Sequence, residues 1–214
     1  MSRAAVFLDR DGTLVDERGP VAAFSADWLY PYSIPTLARL RAMGFLLFVV
    51  SNQAAVARGL VTVDQVDAVH RALTNQLAAR GVHLQGIRYC PHHPRGSVPE
   101  YRRDCAGRKP GAGLLRELAE QFDVDLRRSW MVGDHATDVL AGRAAGTRTC
   151  LVGTGHGSEW AAWAQRRPWL ARASTLADLP RLIAQKTSPS PIRWQDMGCK
   201  GSNGCQRDGS KRGM

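Results

Sequence analysis

The sequence predicts a doubly wound α/β fold, with helices on both faces of one parallel sheet. Residues 6–8 and 45–50 are short, wholly apolar runs, which are typical of parallel strands buried on both faces. Stretches with apolar residues at helical spacing separate such runs, so strands and helices alternate along the chain. Residues 1–185 have the composition of one globular domain. Ser, Pro, Gly, Lys and Arg dominate residues 186–214, which predicts a disordered basic tail.

The 214 residues carry a formal net charge of +10. A basic protein suits nucleic acid or small phosphorylated molecules. Because the arginines are scattered along the chain, we favour a phosphorylated small molecule and expect no nucleic-acid partner. We find no secretory leader and no apolar run of about 18 residues, which predicts a soluble, cytoplasmic protein without a membrane partner. We expect a monomer. Five widely spaced cysteines do not suggest a disulfide framework.

The first predicted strand runs directly into an acidic turn. Asp9 and Asp11 follow residues 6–8 and lie at the carboxyl end of the strand, where the ligand crevice of an open α/β sheet is found. Two carboxylates separated by one residue can converge on a divalent cation, and hard oxygen ligands suit Mg²⁺. Gly12 lets the chain leave in a sharp turn.

The second predicted strand ends in Ser51. A helix that Gly44 terminates precedes this strand, as the helical spacing of its apolar residues indicates. Thr62 and Gln65 have the spacing of a capping box at the start of the next helix. Residues 84–89 predict a short third strand.

The alternation continues through the second half of the chain. Asp134 and Asp138 follow the fourth predicted strand, one helical turn apart. Residues 153–170 are rich in Gly and Trp and poorly periodic. The remaining predicted elements are a helix at 113–122, a strand from residue 130, a strand at 147–152, and an edge strand with a short helix within 176–183.

Four strings resemble the motifs of the haloacid dehalogenase-like (HAD) phosphotransferases. They are Asp-Arg-Asp-Gly-Thr from Asp9, Ser51 at a strand end, Arg-Lys-Pro around Lys109, and Gly-Asp-x-x-x-Asp from Gly133. The resemblance implies a Rossmann-like, HAD-like fold with a minimal cap. It also implies Mg²⁺-dependent hydrolysis of a phosphate monoester through a phospho-aspartate.

The same resemblance implies roles for individual residues. Asp9 would be the nucleophile and Asp11 the acid and base. Ser51 would bind the transferring phosphoryl group, and Lys109 would neutralise its charge. The implied Mg²⁺ ligands are Asp9, Asp11 and Asp134, with Asp138 ligating either directly or through another group.

The string Ser-Asn-Gln-Ala-Ala-Val-Ala-Arg-Gly from Ser51 resembles a narrower branch, the sugar-phosphate phosphatases of the heptose bisphosphate and histidinol phosphate type. This implies a sugar bisphosphate of the heptose 1,7-bisphosphate kind as substrate. Histidinol phosphate is the alternative in the same class. A basic nucleic-acid-binding protein on a HAD scaffold is the alternative from a different class. The candidate substrate-binding residues are Asn52, Gln53, Arg108, Arg18 and Arg58.

A loop with cysteines and histidines precedes Lys109. In the heptose bisphosphate phosphatases this loop carries zinc on a Cys-x-His pair and a Cys-x-Cys pair. Cys90, His92 and Cys105 match three of those positions, but the fourth is Gly107, which has no ligand atom. His93, a cysteine of the tail or water could complete the site, or the loop could hold without metal. The sequence therefore leaves Zn²⁺ open as a second cofactor beside Mg²⁺.

Overall fold

The computed structural model describes residues 2–187, and its six strands form one sheet in the order β3-β2-β1-β4-β5-β6. All strand pairs are parallel. The strands are β1 (Ala5–Leu8), β2 (Leu46–Asn52), β3 (Gly86–Cys90), β4 (Trp130–Gly133), β5 (Arg148–Val152) and β6 (Ala171–Ala173). The chain winds outward from β1 to β3, then returns beside β1 and winds the other way. This order confirms the predicted doubly wound, Rossmann-like fold.

Helices connect the strands and cover both faces of the sheet. In the described part of the chain they are α1 (Ser33–Ala42), α2 (Ala54–Ala57), α3 (Val63–Ala78), α4 (Gly113–Gln121), α5 (Ala136–Ala145), α6 (Ala161–Gln165) and α7 (Leu179–Thr187). Two local predictions are confirmed. Thr62 and Gln65 form the capping box of α3, and Gly44 follows the end of α1 with a φ of 89°.

The core consists of two apolar layers, one on each face of the sheet. Val6 and Leu8 of β1 belong to the layer that α1, α3 and α7 cover. Ala5 and Phe7 belong to the layer under α4 and α5. Because successive strand residues point to opposite faces, a strand buried on both faces must be apolar throughout. This explains the unbroken apolar runs in the sequence.

The predicted edge strand within residues 176–183 is wrong. The edge strand is β6, which pairs with β5 through Cys150–Ala171, Leu151–Arg172 and Val152–Ala173. Leu176–Asp178 is a 3-10 turn that leads into α7. The three residues of β6, Ala-Arg-Ala, include no β-branched or aromatic side chain and are too few for a clear pattern, so only the pairing with β5 defines this strand.

Residues 15–32 form a closed loop above the carboxyl ends of the central strands. The backbone N–H of Asp16 donates to the carbonyl of Trp28 at 2.8 Å, and that of Tyr30 donates to Leu14 at 3.1 Å. Ala26–Trp28 is a 3-10 turn. Across residues 2–187, no helix combines the length and the apolar character needed to cross a bilayer. The predicted tail lies, from residue 188 onward, outside the described residues.

Candidate active site

The ends of β1, β2 and β4, together with the loop before α4, bring the predicted site residues to one pocket of about 210 Å³. These strands are neighbours in the sheet, so their carboxyl ends open into the same crevice. The lining side chains include Asp9, Asp11, Ser51, Lys109, Asp134 and Asp138. Residues more than 120 positions apart in the sequence therefore meet at one edge of the sheet.

Lys109 is the centre of the charge network and is only 2% exposed. Its Nζ donates to the carbonyl of Val50 at 2.8 Å and forms ion pairs with Asp9 Oδ1 at 2.9 Å and with Asp138 Oδ1 at 2.6 Å. An ammonium group has three N–H donors, and three oxygens surround this one. Burial opposes the charged form, but Asp138 and Asp9 outweigh it and raise the pKa of Lys109. The side chain is therefore a fixed positive charge.

Three carboxylates form a candidate site for a divalent cation. Oxygen atoms of Asp9, Asp134 and Asp138 lie within 4.8 Å of one another. Burial raises the pKa of Asp9 to about 6, although Lys109 acts against this shift. Burial, followed by the charge of Asp9, raises the pKa of Asp134 to about 7. Clustered, partly desolvated carboxylates repel one another, and a hard cation such as Mg²⁺ would relieve that repulsion.

Close backbone packing holds Asp134 and Asp138 in place. A Cβ on Gly12 or on Gly155 would overlap the carboxylate of Asp134, and one on Gly133 would overlap that of Asp138. Asp138 Oδ2 accepts a hydrogen bond from the backbone of His135 at 3.0 Å and so caps its own helix, α5. The glycines of the motif strings are thus needed because the carboxylates occupy the space of their side chains.

The loop after β5 closes the site from the other side. The backbone N–H of His156 donates to Asp134 Oδ2 at 2.8 Å. Thr154 Oγ1 donates to the carbonyl of Gly12 at 2.6 Å. The poorly periodic segment predicted for residues 153–170 therefore begins with a turn that holds two of the motif strings together.

Asp11 has different partners from the other carboxylates and is not a member of the three-carboxylate group. Arg10 forks onto it, with Nε 2.9 Å from Oδ1 and Nη2 2.8 Å from Oδ2. Gln53 Nε2 donates to Oδ2 at 3.0 Å. The structure does not bring the Asp11 carboxylate into the cluster where the sequence analysis expected it as a Mg²⁺ ligand.

Ser51, Asn52 and Gln53 make contacts that order the site. Ser51 is the penultimate residue of β2, and its Oγ accepts from Gln53 Nε2 at 2.8 Å. Asn52 and the backbone of Lys109 exchange two hydrogen bonds, each 3.0 Å long. Both polar atoms of the Asn52 side chain are thus engaged with Lys109, and Gln53 links Ser51 to Asp11. In the described structure these amides tie the site together, whereas the sequence analysis expected them to bind substrate.

The three predicted substrate-binding arginines have different surroundings. Arg108 lies between the catalytic pocket and an adjoining groove of about 580 Å³, and its Nη1 donates to the carbonyl of His92 at 3.2 Å. Arg58 is exposed and close enough to Arg108 to lower the pKa of that guanidinium, after the larger effect of burial. Arg18 is exposed and pairs with Asp16 at 2.9 Å. Of the three, only Arg108 lines the catalytic pocket.

The cysteine loop brings three predicted zinc ligands together. Ligand atoms of Cys90, His92 and Cys105 lie within 4.8 Å of one another, and Cys90 Sγ is 3.6 Å from His92 Nδ1. Burial raises the pKa of Cys90 to about 11. A Cβ built on Gly107 would lie 3.5 Å from Cys105 Sγ, so the missing fourth ligand belongs on this side of the group. His93 Nδ1 already accepts from the backbone of Arg95 at 3.1 Å.

Sequence reasoning missed Arg10, His70, Thr154 and His156. Arg10 is part of a motif string, and its position between two aspartates was a signal for an ion pair with one of them. His70 lies on α3, and nothing in its neighbourhood in the sequence distinguishes it from an ordinary buried histidine. Thr154 and His156 act through a turn, which hydrophobic periodicity does not detect.

Comparisons with known proteins agree with this geometry. The HAD-hydrolase-like family model matches residues 106–179. The chain is 41% identical over 182 residues to the D-glycero-beta-D-manno-heptose-1,7-bisphosphate 7-phosphatase of Pasteurella multocida (strain Pm70), across 85% of this chain and 97% of that relative. It is 39% identical over 187 residues to the enzyme of the same name from Escherichia coli (strain K12), across 87% and 96%.

A solved structure shows the same relationship. The D,D-heptose 1.7-bisphosphate phosphatase from B. bronchiseptica, complexed with magnesium and phosphate, aligns with a TM-score of 0.73 and 30% sequence identity. The alignment covers 86% of this chain and 99% of that one.

Proposed function

The chain belongs to the D-glycero-beta-D-manno-heptose-1,7-bisphosphate 7-phosphatase family of HAD hydrolases, and we propose that it removes the 7-phosphate of that sugar bisphosphate through a phospho-Asp9 intermediate. It is a phosphoric monoester hydrolase. The observation that carries the mechanism is the convergence of Asp9, Lys109 and the carboxylates of Asp134 and Asp138 in one pocket.

Asp9 is the proposed nucleophile. Within the described structure, Oδ1 of its carboxylate accepts from the backbone N–H of Arg10 at 2.8 Å and forms the ion pair with Lys109 Nζ at 2.9 Å. We therefore assign Oδ2 to the attack on phosphorus. A bond forms between this oxygen and phosphorus as the bond from phosphorus to the sugar oxygen breaks. Lys109 keeps Asp9 ionised and places positive charge beside the phosphoryl group.

Asp11 is the proposed acid and base. In the first step it gives its proton to the departing sugar oxygen, and in the second it takes a proton from the water that attacks the phospho-aspartate. The second step releases inorganic phosphate and restores the Asp9 carboxylate. Ser51 Oγ accepts a hydrogen bond from Gln53, which leaves its O–H to donate to a phosphoryl oxygen.

Asp9 and Asp134, with Asp138 beside them, would hold Mg²⁺. The cation supplies charge neutralisation for the carboxylates and the phosphate. Two observations support the fit: the mutual distances of the oxygens and the raised pKa values of Asp9 and Asp134. Because Asp138 also pairs with Lys109 at 2.6 Å, we assign it mainly to holding the lysine.

Zn²⁺ is the second proposed metal, bound weakly. Cys90, His92 and Cys105 offer three ligands, and tetrahedral zinc needs a fourth from water or from another side chain. Because the pKa of Cys90 is raised, its thiol is protonated at neutral pH and zinc must displace that proton in order to bind. The loop lines the adjoining groove, outside the catalytic pocket. The metal would therefore stabilise the loop and take no part in the chemistry.

A test of the proposed function measures phosphate release from heptose 1,7-bisphosphate and from histidinol phosphate with Mg²⁺ present. We expect the heptose bisphosphate to be preferred. In Asp9→Asn turnover should fall below a few per cent of wild type while the melting temperature is retained, because an amide cannot attack phosphorus. A preference for histidinol phosphate would contradict the substrate and leave the phospho-Asp9 chemistry standing. Substantial turnover by Asp9→Asn would contradict that chemistry.

A further inference from the structure

A buried arginine and a buried histidine lie behind the proposed acid and base, Asp11. Arg10 is 2% exposed and His70 is 6% exposed. The burial of such polar groups costs free energy unless they are hydrogen-bonded. Neither residue lines the catalytic pocket, and neither has a role in the proposed mechanism.

Arg10 uses three of its nitrogens in this arrangement. Nε and Nη2 grip the two oxygens of Asp11 at 2.9 and 2.8 Å, and Nη1 lies 3.0 Å from His70 Nε2. A guanidinium group has donors only, so His70 Nε2 must be the acceptor and the ring proton must be on Nδ1. The histidine is therefore a neutral acceptor that orients the arginine.

The ring of His70 is itself held in place. It lies edge-on to the ring of Tyr89, with the centroids 5.1 Å apart, and the Tyr89 hydroxyl donates to Asp67 at 2.8 Å. Burial, followed by the charge of Arg10, lowers the pKa of His70 to about 4. This direction agrees with the neutral ring that the hydrogen-bond geometry requires.

We propose that Arg10, anchored by His70, is a positioning residue that orients the Asp11 carboxylate for proton transfer to the departing sugar oxygen and from the attacking water. The inference rests on the acid and base role proposed above for Asp11. A forked contact fixes the plane of a carboxylate, and Gln53 adds a third hydrogen bond at 3.0 Å. Loss of the His70 acceptor leaves a buried N–H of Arg10 unpaired, which loosens the fork.

The proposal predicts a dependence on the leaving group. A sugar oxygen needs a proton as it departs, whereas 4-nitrophenolate leaves as a stable anion. In His70→Leu we expect kcat/KM to fall about tenfold for heptose 1,7-bisphosphate and to stay within about twofold for 4-nitrophenyl phosphate. In His70→Gln the side-chain carbonyl can accept from Arg10, so most of the loss should be recovered.

Leu77→Ala is the control for destabilisation. Leu77 is a buried residue of the same helix, α3, and no hydrogen bond joins its side chain to Arg10. This variant should lower the melting temperature and leave the ratio of the two kcat/KM values unchanged. If His70→Leu does not fold, Arg10→Lys replaces it, because lysine keeps the charge and cannot fork; the same split between substrates is expected.

Asp11→Asn separates this inference from the proposed function. It should show the same leaving-group dependence more strongly than His70→Leu. Equal losses on both substrates in Asp11→Asn would overturn the acid role of Asp11. The positioning role alone would be overturned by a different pair of results. In Asp11→Asn, kcat/KM would fall more for heptose 1,7-bisphosphate than for 4-nitrophenyl phosphate, whereas in the His70 and Arg10 variants it would fall equally for both substrates or not at all.

Discussion

Asp9 and Asp134 are carboxylates whose surroundings disfavour the ionised form. Both are largely desolvated and close to each other, and Lys109 offsets the repulsion only at Asp9. Their raised pKa values mean that the metal-free site retains a proton to a higher pH than an ordinary aspartate does. A divalent cation would take the place of that proton, so cation binding and proton release are coupled at this site.

We predict that the metal-free protein loses stability at this site as the pH rises. The folded pKa values of Asp9 and Asp134, about 6 and about 7, exceed the reference value of 3.8. The native state then binds more protons than the unfolded state between about pH 4 and about pH 7, so the free energy of unfolding falls as pH increases through that window. Asp134→Asn, which cannot ionise, should gain in melting temperature relative to wild type from about pH 5 to about pH 8 in EDTA.

Mg²⁺ provides the complementary measurement. At about pH 8 it should raise the melting temperature of the wild type more than that of Asp134→Asn, because the variant lacks one anionic ligand. A constant difference between the two proteins across the pH range, with equal responses to Mg²⁺, would contradict the assignment of Asp134 to the cation site.

Arg108 is the arginine placed to contact the far end of the substrate. It borders both the catalytic pocket and the adjoining groove. We predict that Arg108→Ala raises KM for heptose 1,7-bisphosphate about tenfold with little change in kcat, and spares 4-nitrophenyl phosphate, which lacks the distant phosphate. Arg18→Ala is the matched control, since Arg18 is exposed and pairs with Asp16. Equal losses on both substrates would indicate that Arg108 acts on the transferring phosphoryl group.

At the scale of elements, the loop between β3 and α4 connects two functions. Cys90 is the last residue of β3, His92 and Cys105 lie within the loop, and Lys109 lies near its end. The backbone of Lys109 exchanges two hydrogen bonds with Asn52 at the end of β2. This exchange anchors Lys109 to the sheet without any metal, although Gly107 offers no fourth zinc ligand.

We predict that the purified protein holds less than one equivalent of zinc and that Gly107→Cys raises the content. A Cβ at this position would lie 3.5 Å from Cys105 Sγ and 3.1 Å from the end of the Leu114 side chain, which must shift slightly. Gly107→Ser is the control of similar size with a poor zinc ligand. Elemental analysis measures the zinc content per chain of the wild type and of the two variants. A full equivalent in the wild type that survives removal of residues 188–214 would mean that another group supplies the fourth ligand.

At the scale of the whole molecule, all the candidate site residues lie within residues 2–187. The match to the Pasteurella relative covers 85% of this chain and 97% of that relative. No residue of the basic segment from residue 188 onward has a role in the proposed mechanism. The prediction of one domain at 1–185 followed by a separate tail thus remains open to a direct test.

We predict that truncation after Thr187 leaves kcat/KM and the melting temperature close to those of the full chain. The described helix α7 ends at this residue, and Ile183 is the last buried apolar side chain among residues whose burial is described. Activity should be measured on heptose 1,7-bisphosphate at low and at physiological salt, since a basic segment could attract an anionic substrate. A loss beyond about tenfold, roughly 1.4 kcal/mol, would show that the tail reaches the site.

The sequence alone predicted the types of the main elements and proposed Asp9, Ser51, Lys109 and Asp134 as site residues, and the structure places these four around one pocket. Apolar runs, caps and turn glycines act within a few residues of one another, so they can be interpreted locally. Motif strings at strand ends also predicted a shared crevice, because the carboxyl ends of neighbouring parallel strands open on one edge of the sheet.

Only the tertiary structure decided which partners these residues have. The pairing of β6 with β5 and the contact between Arg10 and His70 join segments that are distant in the sequence. The same holds for Asp138, which the family resemblance implied as a metal ligand and which lies 2.6 Å from Lys109. A side chain's partner depends on which elements pack beside it in the fold, and the local pattern of residues does not specify that packing.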